Sequence, residues 1–150
     1  MIYMSGGIGQ EGQMQKATHT IHDPKHKAGF TNETNDCAVR AMANAFGISY
    51  ERAHAAMKAA GRKDRKGTYN LTIHNTITQE YDGKKAVQLN HIGTGKDQRQ
   101  VSIGTFCKYR TTGSYYCIVR GHAFAVVNGV VQDAFKNRAG RRIYRAYEIV

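Results

Sequence analysis

Between residues 37 and 81 the apolar positions recur at helical spacing. The run Ala38-Val39-Arg40-Ala41-Met42-Ala43-Asn44-Ala45-Phe46 is rich in Ala and Met, which favour helix, and Asn35 or Asp36 is a suitable N-cap. Gly47 ends this first helix. Ser49 caps a second, with Tyr50, Ala53, Met57 and Ala60 forming an apolar stripe, and Gly61 closes it. Asn70 caps a third from Leu71 to about Tyr81, with Ile73 and Ile77 facing inward.

The pattern then changes to alternation. Asp82-Gly83 makes a turn, and residues 86–92 read as a strand. A polar, Gly-rich stretch follows to about Gln100, and Ser102 or Thr105 caps a short helix carrying Phe106, Cys107 and Tyr109. Residues 115–119 and 122–127 are strands separated by Arg120-Gly121. Asn128-Gly129 is a strong two-residue hairpin signal, and residues 130–135 return. A basic turn leads to a last strand, residues 143–149. Helices followed by an antiparallel sheet predict an α+β domain over residues 29–150. Residues 1–28 read as an arm, flexible or held by a partner or by the domain.

Composition narrows the classes. A chain of 150 residues fits one domain with a real core. No apolar run approaches the ~20 residues that cross a bilayer, and the polar, Gly-rich beginning has no secretory h-region. The expected location is therefore a cytoplasm, or a particle assembled in one. Three cysteines, Cys37, Cys107 and Cys117, lack a framework spacing and predict reduced thiols. The net charge of +11 attracts nucleic acid or acidic proteins, but no zinc-finger, RNP or zipper pattern focuses it. Two stretches are candidates for a basic binding surface: Arg62, Lys63, Arg65 and Lys66 in one loop, and Arg138, Arg141 and Arg142 in another. His19, His22, Asp23 and His26 cluster around the single proline, but their spacing matches no zinc site, so no metal is assigned. His74 reads as a surface or packed histidine.

The candidate chemistry begins at Cys37, in the first turn of the first helix. There the helix dipole and unpaired backbone N–H groups favour the thiolate, and the same N–H groups suit an oxyanion. Alone, such a cysteine reads first as a small buried apolar residue. The hairpin adds a geometric argument. With Asn128-Gly129 as a two-residue loop, Val127 faces Val130 and Phe124 faces Asp133, so His122 and Asp133 are diagonal neighbours on one face. Aspartate on a strand lined by Val, Ala and Phe is costly unless paired, and His122 supplies the partner. A thiol, a histidine and a carboxylate in the order Cys, His, Asp are a nucleophile, a base and the group that orients the base.

These residues carry a resemblance. Asn-Asp-Cys-Ala-Val-Arg-Ala (residues 35–41) together with Gly-His-Ala-Phe-Ala-Val-Val-Asn-Gly-Val-Val-Gln-Asp (residues 121–133) resembles papain-like cysteine peptidases, most closely the C39-like, bacteriocin-processing branch. Residues 30 to 135 are also similar to small bacteriophage proteins with an Asn-Asp-Cys helix and a Gly-His hairpin. OTU deubiquitinases have a similar Cys-x-x-Arg-Ala helix, but their Asp-Gly-Asn-Cys lead is absent here. The resemblance implies a papain-like fold, with N-terminal helices carrying Cys37 packed on a sheet carrying His122 and Asp133. The papain-like pattern also has a glutamine six residues before the cysteine, where this chain has Thr31. Asn32 or Asn35 is the expected replacement as oxyanion donor.

The expected function is a cysteine-dependent acyl-transfer enzyme, a peptidase or an amide or isopeptide hydrolase acting on a polypeptide. Cys37 is the nucleophile, His122 the general base and then general acid, and Asp133 the orienting group; no cofactor is needed. The alternative is an inactive papain-like scaffold serving as a basic phage structural protein or virion component. It would bind a host protein, or nucleic acid without sequence specificity. Transfer through the same thioester is a third outcome.

Overall fold

The computed structural model describes residues 19–21 by their backbone, and residues 30, 33–93, 99–134 and 136–150 in full. The elements run β1 (His19–Ile21), α1 (Cys37–Phe46), α2 (Tyr50–Ala59), α3 (Asn70–Ile77), β2 (Ala86–Gln88), β3 (Val101–Ser102), α4 (Ile103–Tyr109), β4 (Ser114–Val119), β5 (His122–Val127), β6 (Val130–Asp133), β7 (Arg142–Ile143) and β8 (Arg145–Ile149). Six strands form one sheet in the order β1-β6-β5-β4-β8-β2, and β3 pairs with β7 in a separate ribbon. All pairings are antiparallel except β1 with β6. The architecture is α+β, as expected.

The sheet has a core on each side, set by strand alternation. Tyr116, Ile118, Ala123 and Ala125 pack with Val39, Met42 and Phe46 of α1, and with residues of α2 and α3. Cys117, Val119, Phe124 and Val126 face the other way, toward Ile103 and Phe106 of α4 and Ile143 of the ribbon. Polar bonds also tie α1 to the sheet. Tyr116 donates its hydroxyl to Ala38 O at 3.0 Å, and Ser114 donates to Ala45 O. At the far end Gly47 takes φ 67°, and Lys84 Nζ donates to Phe46 O at 3.0 Å, a cation on the negative pole of the helix. The cysteine end of α1 is thereby held over β4 and β5.

The hairpin has the expected register, with Val127 opposite Val130. Asn128 and Gly129 both have positive φ, at 52° and 78°. A Cβ on Gly129 would lie 3.1 Å from Cys107 O, so both the turn and the packing require glycine there.

Several boundaries and the element order differ from expectation. The helix expected to reach Tyr81 stops at Ile77, and its N-cap is Tyr69, not Asn70. Thr76 and Thr78 bond back to Thr72 O and His74 O, both at 2.7 Å, and Tyr81 turns onto Lys84. The strand expected over 86–92 ends at Gln88, because the chain leaves β8 after Leu89 N–H bonds Ala146 O. The last strand breaks at Tyr144 into β7 and β8, each serving a different sheet. Finally, helices do not all precede the sheet: β1 comes before α1, and α4 follows β3. Residues 19–21, within the stretch read as an arm, form the strand beside β6, with Ile21 opposite Asp133. The remainder of that stretch lies outside the described residues.

Candidate active site

Cys37 is the first residue of α1 and is half-buried. Asp36 is the N-cap by position, yet its carboxylate caps no backbone N–H. Instead it accepts from Tyr50 OH at 2.7 Å and pairs with Arg40 at 3.2 Å. Two consequences follow for the thiol. The N–H groups of the first turn are not capped by a side chain, and the negative charge next to Cys37 is balanced by Arg40.

His122 is the first residue of β5, at the end of the sheet nearest the start of α1. Its Nε2 lies 2.5 Å from Asp133 Oδ2, which leaves Nδ1 to serve Cys37, with which the ring is hydrogen-bonded. The backbone N–H of Ala123 donates to the Cys37 sulfur as well. Sequence spacing alone could not bring Cys37 and His122 together; the packing of α1 on β5 does.

Asp133 is 3% exposed and well satisfied. Ala134 N–H donates to Oδ1 at 2.7 Å, and Asn137 Nδ2 donates to Oδ2 at 2.7 Å. Asn137 is in turn bonded by Arg141 Nη1 at 3.2 Å, and Arg141 Nη2 reaches Arg120 O at 2.7 Å. A connected series thus runs from Arg141 through Asn137, Asp133 and His122 to Cys37.

The electrostatics of these groups are coupled. Burial opposes a charge on Cys37, but hydrogen bonding to His122, the charge of that imidazolium, the Ala123 N–H and Arg40 outweigh it and hold the thiol below its ordinary value. Burial likewise opposes a charge on His122, yet Asp133 and Cys37 push its pKa up to about 9. Asp133 is lowered despite its burial, by His122, Asn137 and Ala134 N–H. The two shifts act in one direction: each group favours the charged form of the other, thiolate with imidazolium. The other thiols behave oppositely: burial raises Cys107 to about 11 and Cys117 well above the ordinary range.

No family model, no curated protein and no solved structure matches this chain.

The remaining candidates are placed less uniformly. Asn35, at φ 52°, gives its amide to Arg65 O at 3.2 Å, so it is engaged with the basic loop. Thr31 and Asn32 lie outside the described residues, as do His22, Asp23 and His26. Arg62 does not belong to a basic surface: it is 4% exposed and pairs with Glu33 at 3.0 Å. A guanidinium next to a buried carboxylate is drawn inward, which loop composition does not reveal. Lys63, Arg65, Lys66, Arg138 and Arg142 are exposed, and Arg141 is half-buried. His74 is packed, bonded to Tyr147 OH at 2.8 Å.

Sequence reasoning missed three participants: Asn137, the Ala123 N–H and Arg40. Asn137 sits in a stretch that reads as a basic turn, and only its spacing of four from Asp133 hinted at a role. It also missed the cluster of Glu33, His54 and Asp64, whose ligand-type atoms lie within 4.8 Å of one another. These are the described residues with the donor types to hold a metal. Glu33, however, already accepts from His54, Arg62 and Arg65 N–H at 2.9, 3.0 and 2.6 Å, so its carboxylate is committed to protein donors.

Proposed function

We propose that this protein is a cysteine-dependent acyl-transfer enzyme of papain-like design, acting on amide or isopeptide bonds of a polypeptide. The observation that carries the reading is the Cys37 thiol at a helix N-terminus, hydrogen-bonded to His122, whose other ring nitrogen is held by a buried aspartate. The layout supports a papain-like relationship: the nucleophile opens a helix packed on an antiparallel hairpin that carries the histidine and the acid.

The resting thiolate attacks the substrate carbonyl carbon, and the oxygen takes the negative charge. On this reading the Cys37 N–H and the positive end of α1 stabilise it. The intermediate collapses as the His122 imidazolium gives its proton to the departing amine, leaving a thioester on Cys37. Neutral His122 then takes a proton from water, which attacks the thioester. Carboxylic acid is released and the thiolate–imidazolium pair returns. Asp133 keeps Nε2 protonated throughout, so Nδ1 does the proton transfer. An amine reaching the thioester before water would turn hydrolysis into transfer.

The test is capture of the acyl-enzyme. An activated peptide ester incubated with the protein should add one acyl group to Cys37, located by peptide mass spectrometry. The adduct should disappear in Cys37→Ala and accumulate slowly or not at all in His122→Ala. Acylation spread over other residues, or unchanged in His122→Ala, contradicts the reading.

A further inference from the structure

A second site lies at the outer end of the series that begins at the catalytic pair. A cavity of about 650 Å³ is lined by Gln100, Arg120, Arg141, Arg142 and Tyr144. That volume is in the range that holds a small ligand. Three of its five described lining residues are arginines, and among the described residues none of the three is paired with a carboxylate. Guanidinium groups gathered without acids repel one another, an arrangement that an anion relieves. The Arg141 guanidinium is also fixed in advance, by its bonds to Asn137 Oδ1 and Arg120 O. A guanidinium has five N–H donors, so donors remain after those two bonds. Tyr144 is 40% exposed and adds an aromatic face to a cationic cavity.

We propose that Arg120, Arg141, Arg142 and Tyr144 form a binding site for a phosphate-bearing ligand of nucleotide size, the phosphates taken by the arginines and a planar base by the tyrosine. Planar guanidinium forks match phosphate oxygens two at a time, and three of them suit an anion of more than one charge. Another basic cavity among the described residues, lined by Arg62, Lys63, Lys66 and Thr68 among others, has its arginine committed to Glu33. It serves as the control. Arg141 touches both the cavity and Asn137, so an occupant at the arginines alters the support of Asp133 and with it the Cys37–His122 pair. Only this second consequence rests on the acyl-transfer reading.

The experiment is calorimetric titration of the whole chain, near physiological salt, with pyrophosphate, with ADP and with a ten-nucleotide oligothymidylate. Arg120→Gln, Arg142→Gln and the double variant are compared with Lys63→Gln/Lys66→Gln, all checked for native thermal unfolding. One-to-one saturation that weakens about tenfold for each arginine lost, and that the lysine variant retains, is the expected result. Saturation by ADP and pyrophosphate identifies a free nucleotide as the source. Saturation by the oligonucleotide alone, with a steep salt dependence, identifies a nucleic-acid backbone. Absence of saturation with all three probes, or equal weakening in the lysine variant, overturns the site. Cys37→Ala should bind as wild type, so loss of the acyl-transfer reading leaves this result standing.

Discussion

His122 and His54 are both buried and both bonded through Nε2 to a carboxylate, Asp133 at 2.5 Å and Glu33 at 2.9 Å. The carboxylates are alike in a further respect, since each accepts a backbone N–H, from Ala134 and from Arg65. They differ in the remaining donor. Glu33 has the Arg62 guanidinium, whereas Asp133 has the neutral Asn137 amide. At Glu33 the negative charge is balanced whatever His54 does. At Asp133 the balancing cation is His122 itself, so the carboxylate favours the imidazolium, and the imidazolium favours the thiolate beyond it. One arrangement braces the chain ahead of Cys37, and the other favours the charged form of the thiol. A histidine–carboxylate pair is thus part of a structural brace at Glu33, where Arg62 and Asp64 also lie against it, and in the proposed function supports the thiol at Asp133.

The largest effect should come from breaking the reactive arrangement. Cys37→Ala abolishes acyl transfer, and His122→Ala lowers its rate about 10³-fold or more, judged by single-turnover acylation. The converse change, at the brace, acts on stability. Arg62→Met or Glu33→Ala strands a buried charge and should cost about 3–5 kcal/mol in denaturant unfolding. The brace has its own pH signature. Glu33 sits at about 2 against an ordinary 4.5, because Arg62, His54 and Arg65 N–H overcome its burial. A carboxylate with a lowered folded value contributes stability above its unfolded value and loses it as pH falls. Roughly 3 kcal/mol should therefore disappear between about pH 5 and pH 2, a loss absent from Glu33→Ala.

Asn137→Ala tests the neutral donor. It removes one bond from Asp133 and should slow acylation about tenfold, with a smaller fall in melting temperature than Arg62→Met produces. The smallest change is expected from Asn35→Ala. Its amide is bonded to Arg65 O, so the variant should lose about 0.5–1 kcal/mol of stability and leave acylation within twofold.

The parts of this arrangement that the sequence disclosed were local. The Ala- and Met-rich run ending at Gly47, the register of Asn128-Gly129 and the cost of an aspartate among Val, Ala and Phe each follow from near neighbours, and together they placed Cys37, His122 and Asp133. What stayed hidden depends on long-range contact. Arg62 reads as one more cation of a basic loop until Glu33, 29 positions away, is seen to draw it inside. Asn137 lies in a segment with no periodicity, and its role exists only where the β6 end curls back on Asp133. Asn35 appeared to be an amide beside the thiol, but its left-handed backbone and the Arg65 carbonyl send it elsewhere. Residues 19–21 lacked any strand signature of their own, since a three-residue edge strand is specified by its partner β6.

The central claim is that Cys37 is a thiolate because His122 is an imidazolium. The direct measurement is the rate of Cys37 alkylation by iodoacetamide across pH, with Cys107 and Cys117 replaced by serine, in an otherwise wild-type chain and in His122→Ala. The account predicts a rate that rises at a pH below that of a free cysteine, because His122 lowers the thiol. In His122→Ala, burial of the thiol is opposed only by weaker partners, so the rate should rise at a pH above that of a free cysteine, about 8.5. A Cys37 that titrates like an ordinary thiol in both proteins would contradict the account.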